Sequence, residues 1–130
     1  MPFKHIVDKE KDIVVLKAKG NISVIDIISE IQVAIRTRRG DGVTRRLIDM
    51  TEQEITYNFQ DAQKVLKMMK VSANVLGSKK IAILFKEIPK NLELRELKSF
   101  LNLSTVEIEF FTDKAKAAQF LSNPIKKQLS

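Results

Sequence analysis

Six residues, Lys80-Ile81-Ala82-Ile83-Leu84-Phe85, constrain the fold more than any other stretch. Their apolar side chains follow one another without the alternation that marks a strand with one wet face. A short run of this kind is a strand covered on both sides, so helices must lie above and below it. The preceding segment supplies one. Phe59, Ala62, Val65, Leu66, Met69 and Ala73 repeat at helical spacing, between a start signal (Asn58 with Asp61 three residues on) and a stop signal at Gly77.

The rest of the chain continues this alternation. "FKHIVD" and "DIVVLKAKG" are short Val- and Ile-rich runs joined by "KEKD", the pattern of an antiparallel hairpin closed by Gly20. Residues 22–38 are the contested segment. Their β-branched side chains favour a strand, but Val24, Ile27, Ile28, Ile31, Ala34 and Ile35 recur with the period of a helix. Ser23 with Asp26 forms a capping pair, and Arg36, Arg38 and Arg39 suit a helix C-terminus. The period outweighs the propensity, and a helix is predicted. "TRRLIDM" reads as a short strand buried around Leu47 and Ile48. Beyond Pro89, Leu94, Leu97 and Leu101 mark a further helix. "TVEIEFF" is a strand whose Glu107 and Glu109 share one face, as at a sheet edge. Thr112 or Asp113 opens a last helix through Leu121. The order β-β-α-β-α-β-α-β-α demands parallel pairing across helical crossovers. The expected fold is a single layered α/β domain: a mixed, mainly parallel five-stranded sheet with four helices packed on it. Residues 1–122 are assigned to the domain and 123–130 to a flexible basic C-terminal tail.

Composition removes several kinds of chemistry. With 130 residues the chain can bury a core without disulfides or metal, and it has no cysteine and a single histidine, His5. Thiol nucleophiles, thiolate zinc sites and multi-histidine metal sites are excluded, and no cofactor is expected. His5 itself, in an alternating strand, reads as a surface or partly buried side chain. Residues 1–12 lack the apolar run of a leader, and no stretch reaches the roughly 18–20 apolar residues of a membrane span. A cytoplasmic protein is expected.

The net charge of +7 is unevenly placed. Arg36, Arg38, Arg39, Arg45 and Arg46, five of the six arginines, lie within eleven residues. Lys79 and Lys80 also begin a strand, so parallel pairing gathers these cations at the amino-terminal end of the sheet. They read as a solvated face complementing a helix dipole, with an anion, nucleic-acid or acidic-protein patch as the alternative. No aromatic residue lies within the cluster for base stacking.

Certain local words narrow the fold further. The hairpin ends "KAKGNIS", the central strand reads "RRLIDMT", and the last strand and helix read "FFTDKAKAAQFL", marked by Phe111, Asp113, Ala117, Phe120 and Leu121. In this order and spacing they resemble small bacterial STAS-like domains related to the SpoIIAA anti-sigma-factor antagonists. The nearest likeness is to an uncharacterised SpoIIAA-like branch described alongside CRAL-TRIO lipid-transfer domains. It runs from about Phe3 to Leu121. In phosphorylatable STAS domains a serine at the start of the helix after the central strand accepts phosphate. The matching region here, "ITYNFQDAQ", has neither serine nor glycine. Thr51, Thr56 and Tyr57 are the nearby hydroxyls, and none stands at the helix start.

The resemblance implies a non-enzymatic bacterial regulatory module that binds another protein and lacks the usual phospho-acceptor. Its CRAL-TRIO side implies the alternative, a carrier or sensor of a small apolar or amphipathic, lipid-like ligand, which needs a cavity between helix and sheet. Asp49 ends the central strand, where an aspartate satisfies N–H groups of the following turn. With Thr51, Tyr57 and Asn58 it is also a candidate contact for a ligand or partner, since strand carboxyl ends border the crevice of open α/β sheets. Ile25 and Val33 fall off the inner face of the first helix and leave room for a homodimer contact. The expected contacts are another protein, a second copy of the chain, a small apolar ligand, and weak non-specific polyanion binding.

Overall fold

The computed structural model of the chain describes residues 3–54, 58–88, 95–97 and 106–125. Its elements are β1 (Phe3–Asp8), β2 (Ile13–Asn21), α1 (Val24–Thr37), β3 (Arg45–Glu54), α2 (Phe59–Leu76), β4 (Lys80–Phe85), β5 (Glu107–Phe111) and α3 (Lys114–Ser122). Residues 95–97 are also helical. Pro89, Leu94 and Leu101, read as marking the third crossover helix, lie outside the described residues, as do Thr56, Tyr57 and residues 126–130.

The sheet order is β1-β2-β3-β4-β5, with β1 antiparallel to β2 and every other neighbouring pair parallel. Each parallel crossover therefore steps one strand in the same direction. Because such crossovers are right-handed, their helices all fall on one face. Residues of α1 and α2 share one core with Leu97, and α3, which follows the last strand, covers the other face. β4 is buried along its whole length between them. Ile81, Ile83 and Phe85 face α1 and α2, while Ala82 and Leu84 face α3. Among the described residues, no helix is long and apolar enough to cross a membrane.

The contested segment folds as α1. Ser23 Oγ accepts from the Asp26 N–H, and the Asp26 carboxylate accepts from the Ser23 N–H, a closed capping box. Ile27 and Ile31 are buried in the core. Burying an isoleucine is worth about 1.5–3 kcal/mol, against a helix-propensity deficit of at most ~0.7 kcal/mol. Burial wins. α2 is built the same way, with an Asn58–Asp61 box and Gly77 at φ 79° as its stop. Asp113 opens α3 by accepting from the Ala115 and Lys116 N–H groups.

β3 is longer than the short strand predicted. It runs on to Glu54 because its second half keeps pairing with Lys19, Gly20 and Asn21 of β2. The extension contains a bulge. Between the pairs Lys17–Asp49 and Lys19–Glu52, β3 places two residues, Met50 and Thr51, against one in β2, Ala18. The Asp49 carboxylate holds the bulge by accepting the Thr51 N–H at 3.0 Å and the Thr51 hydroxyl at 2.7 Å. An extra residue reverses the in–out alternation downstream.

Candidate functional site

Between the sheet and the α1/α2 layer lies a cavity of about 100 Å³. Protein interiors leave few voids larger than a water molecule, so this one needs a cause. Ala18 on β2, Ala34 on α1 and Ala62 on α2 line it from three directions, and its remaining walls are mostly larger aliphatics and phenylalanines. Small residues facing one another leave the space that leucines would fill. A dry, engineered apolar cavity on the order of 150 Å³ binds benzene, and this one is smaller.

Polar groups line the cavity near the amino-terminal end of β3. Glu30 of α1 lies 2.6 Å from His5 Nε2 and 2.6 Å from Arg39 Nη1, and Arg39 Nη1 lies 2.8 Å from the same His5 nitrogen. Burial, then the Arg39 charge, lowers the His5 pKa below its ordinary 6.5, outweighing the opposite pull of Glu30. His5 is therefore neutral at neutral pH. Beside this trio sits Arg46, half-buried, donating to Ser78 Oγ and to the carbonyls of Arg39 (3.2 Å) and Gly40 (3.3 Å). Burial, with the Arg39 charge second, lowers its pKa, although a guanidinium stays charged at any ordinary pH. Gly40 makes this crowding feasible: a Cβ there would meet Val14 Cγ2 at 2.5 Å and Arg46 Nη2 at 3.3 Å.

Toward the carboxyl end of β3 the cavity meets Gln53. Both polar atoms of its side-chain amide are buried without a partner among the described residues. Its place follows from the bulge. Arg46, Ile48 and Met50 line the cavity in even-numbered alternation, and the extra residue brings the odd-numbered Gln53 to the same side. Asp49 thus acts on the cavity through Thr51 and the strand, not by contact.

The predicted site residues scatter. The basic residues do begin neighbouring strands, with Arg45 opposite Lys80 in register, but their side chains find separate partners. Arg38 pairs with Asp41 in solvent through bonds of 2.9 and 3.1 Å. Arg45 reaches Asp12 at 2.8 Å and the Leu121 carbonyl at 2.6 Å. Lys80, 2% exposed, donates to the Phe120 carbonyl at 2.8 Å and lies 4.6 Å from that ring's centroid. Arg36 and Lys79 are exposed. Of this set, Arg39 and Arg46 alone reach the cavity. Asp49 does not end its strand: β3 continues to Glu54, and Asp49 and Thr51 bond each other at the mid-strand bulge, while Asn58 is engaged as the α2 cap and Tyr57 lies outside the described residues. Glu30 and Gln53 are cavity residues that sequence reasoning misses. Helical spacing gives Glu30 a weak signal, three residues after Ile27 and four before Ala34. Gln53 has none, because the bulge hides its face.

No family model matches the sequence, and no curated protein matches it. Solved structures do. One is an uncharacterised protein of the DUF3478 family with a SpoIIAA-like fold, from Shewanella loihica PV-4. It superposes with a TM-score of 0.56 at 21% identity, covering 92% of this chain and 93% of that one. Another is the anti-sigma factor antagonist SpoIIAA in its unphosphorylated form, with a TM-score of 0.52 at 13% identity, covering 93% and 99%. The chain has the SpoIIAA-like α/β fold that its sequence words resemble.

Proposed function

We propose that this SpoIIAA-like module is a non-catalytic binding protein whose cavity takes a small apolar or amphipathic molecule, in the service of regulation rather than turnover. The cavity carries this reading: an apolar void bounded by alanines from three elements, with polar groups gathered toward its ends. Asp49, expected at the strand end but placed by the structure in the middle of β3, is committed to Thr51, which favours binding over chemistry. Native mass spectrometry of freshly purified protein, set against its denatured mass, should show an adduct that denaturation releases. Ala34→Leu fills the void and should weaken a benzene-sized probe by roughly tenfold or more while the protein stays folded. A wild-type protein without adduct, whose melting is indifferent to benzene and to hexanol, refutes the reading.

A second reading, docking of another protein or a second copy, is favoured by the outer edge of β1, which no described strand pairs and where Ile6 is 56% and Val7 41% exposed. Such an edge can accept a partner's strand. Sedimentation checks the self-association form. A dimer that Ile6→Lys dissociates supports it, and a wild-type monomer at high concentration removes it.

A further inference from the structure

We infer that the cavity is built for a monoanion, a short aliphatic carboxylate whose head pairs with Arg46 while its tail lies among the apolar walls. The inference rests on the reading of the cavity as a ligand site. Its ground is the charge balance at the polar end. Arg39 is neutralised by Glu30 at 2.6 Å, and His5 is neutral at neutral pH. Arg46 has neutral partners instead: one hydroxyl and two carbonyls. Among the described residues, one positive charge is left over.

The neighbouring arginines show that this is not the habit of the chain. Three described arginines are half-buried: Arg39, Arg45 and Arg46. Arg39 has Glu30 and Arg45 has Asp12, whereas no carboxylate among the described residues pairs with Arg46. A buried charge without a counter-ion is costly, and proteins ordinarily pair it. The bonds also leave a direction open. Nε and Nη2 make the contacts that fix the guanidinium plane, and no described residue accepts from Nη1. A carboxylate there forms a charge-assisted bond from a donor already held in place. The surrounding apolar walls set the rest of the ligand: a hydrocarbon tail, not a second charge.

Calorimetric titration of the whole protein at neutral pH with hexanoate and with hexanamide, its neutral analogue of the same shape, tests the head group. A hydrogen bond to a charged group is worth about 1.5–3 kcal/mol, so hexanoate should bind roughly tenfold or more tightly than hexanamide. Arg46→Gln should erase that preference by weakening hexanoate alone. Arg46→Lys, which keeps the charge and loses the fork, should retain part of it and serves if the glutamine variant does not fold. Equal affinities in the wild-type protein overturn the anionic head and leave the cavity reading standing. Binding of neither probe overturns both.

Discussion

Arg45 and Arg46 are consecutive residues on one strand, and they point into two differently built halves of the molecule. Under α3 the packing is closed. Ala82 and Ala117 are both fully buried, the Phe111 and Phe120 rings stand 5.4 Å apart, and the charges are paired, Arg45 with Asp12 at 2.8 Å and Lys80 with Glu107 at 4.0 Å. Under α1 and α2 the packing is open around three alanines, and among the described residues Arg46 has no carboxylate partner and the Gln53 amide has none at all. The difference separates two uses of polar residues. Those under α3 fasten the fold, and those around the cavity are, on the proposed reading, the ones that hold a ligand.

The largest expected effect comes from the closed side. Leu121→Ala removes a side chain that is 4% exposed from a small cluster with little freedom to collapse, and should cost about 2–5 kcal/mol in denaturant unfolding. Binding in the cavity should survive it in whatever fraction stays folded. A parallel loss of hexanoate affinity by the folded variant breaks the division between the two halves.

A smaller effect should cross that division. Asp49 pairs in register with Leu84, so its side chain belongs to the α3 face, yet it holds the bulge that brings Gln53 to the cavity. Asp49→Ala removes two accepted hydrogen bonds at a partly buried site and should cost about 1 kcal/mol. The Gln53 side-chain amide resonances should shift at the same time in a heteronuclear NMR spectrum. A stable variant whose Gln53 signals stay in place separates the bulge from Asp49 and restores a purely local role for that carboxylate.

These features differ in how far they can be read from sequence, for a physical reason. Helix starts at Ser23, Asn58 and Asp113 are local events, each complete within three residues, and their signals are legible. The both-sided burial of β4 is legible because no polar residue interrupts it. The cavity is not, because Ala18, Ala34 and Ala62 look like ordinary small core residues until the tertiary fold sets them facing one another. The basic cluster is legible as a cluster, but its division into members with and without a carboxylate among the described residues depends on tertiary contacts to Glu30, on the preceding helix, and to Asp12, far off in the hairpin. The β3 bulge hides the most, since one extra residue inverts the face of everything after it.

The smallest expected effect lies at the polar end of the cavity and is a matter of pH. His5 is held below its ordinary pKa of 6.5 by burial first and by Arg39 second, against Glu30. The unfolded chain therefore binds a proton more readily than the folded one below pH 6.5. By linkage, the His5 contribution to stability is complete above that value, declines as pH falls through the lowered folded-state pKa, and then levels off. Asp12, whose pKa the Thr44 and Arg45 bonds lower in spite of burial, loses its contribution only as pH falls below its ordinary 3.8, so the two windows are separate. Melting temperature followed from neutral to mildly acidic pH should fall slightly in the wild-type protein and more shallowly in His5→Gln, with the curves converging in slope above pH 6.5. A wild-type profile that rises on acidification would mean that protonated His5 is favoured beside Glu30. The polar end would then carry a second positive charge, and the balance that singles out a monoanion would have to be redrawn.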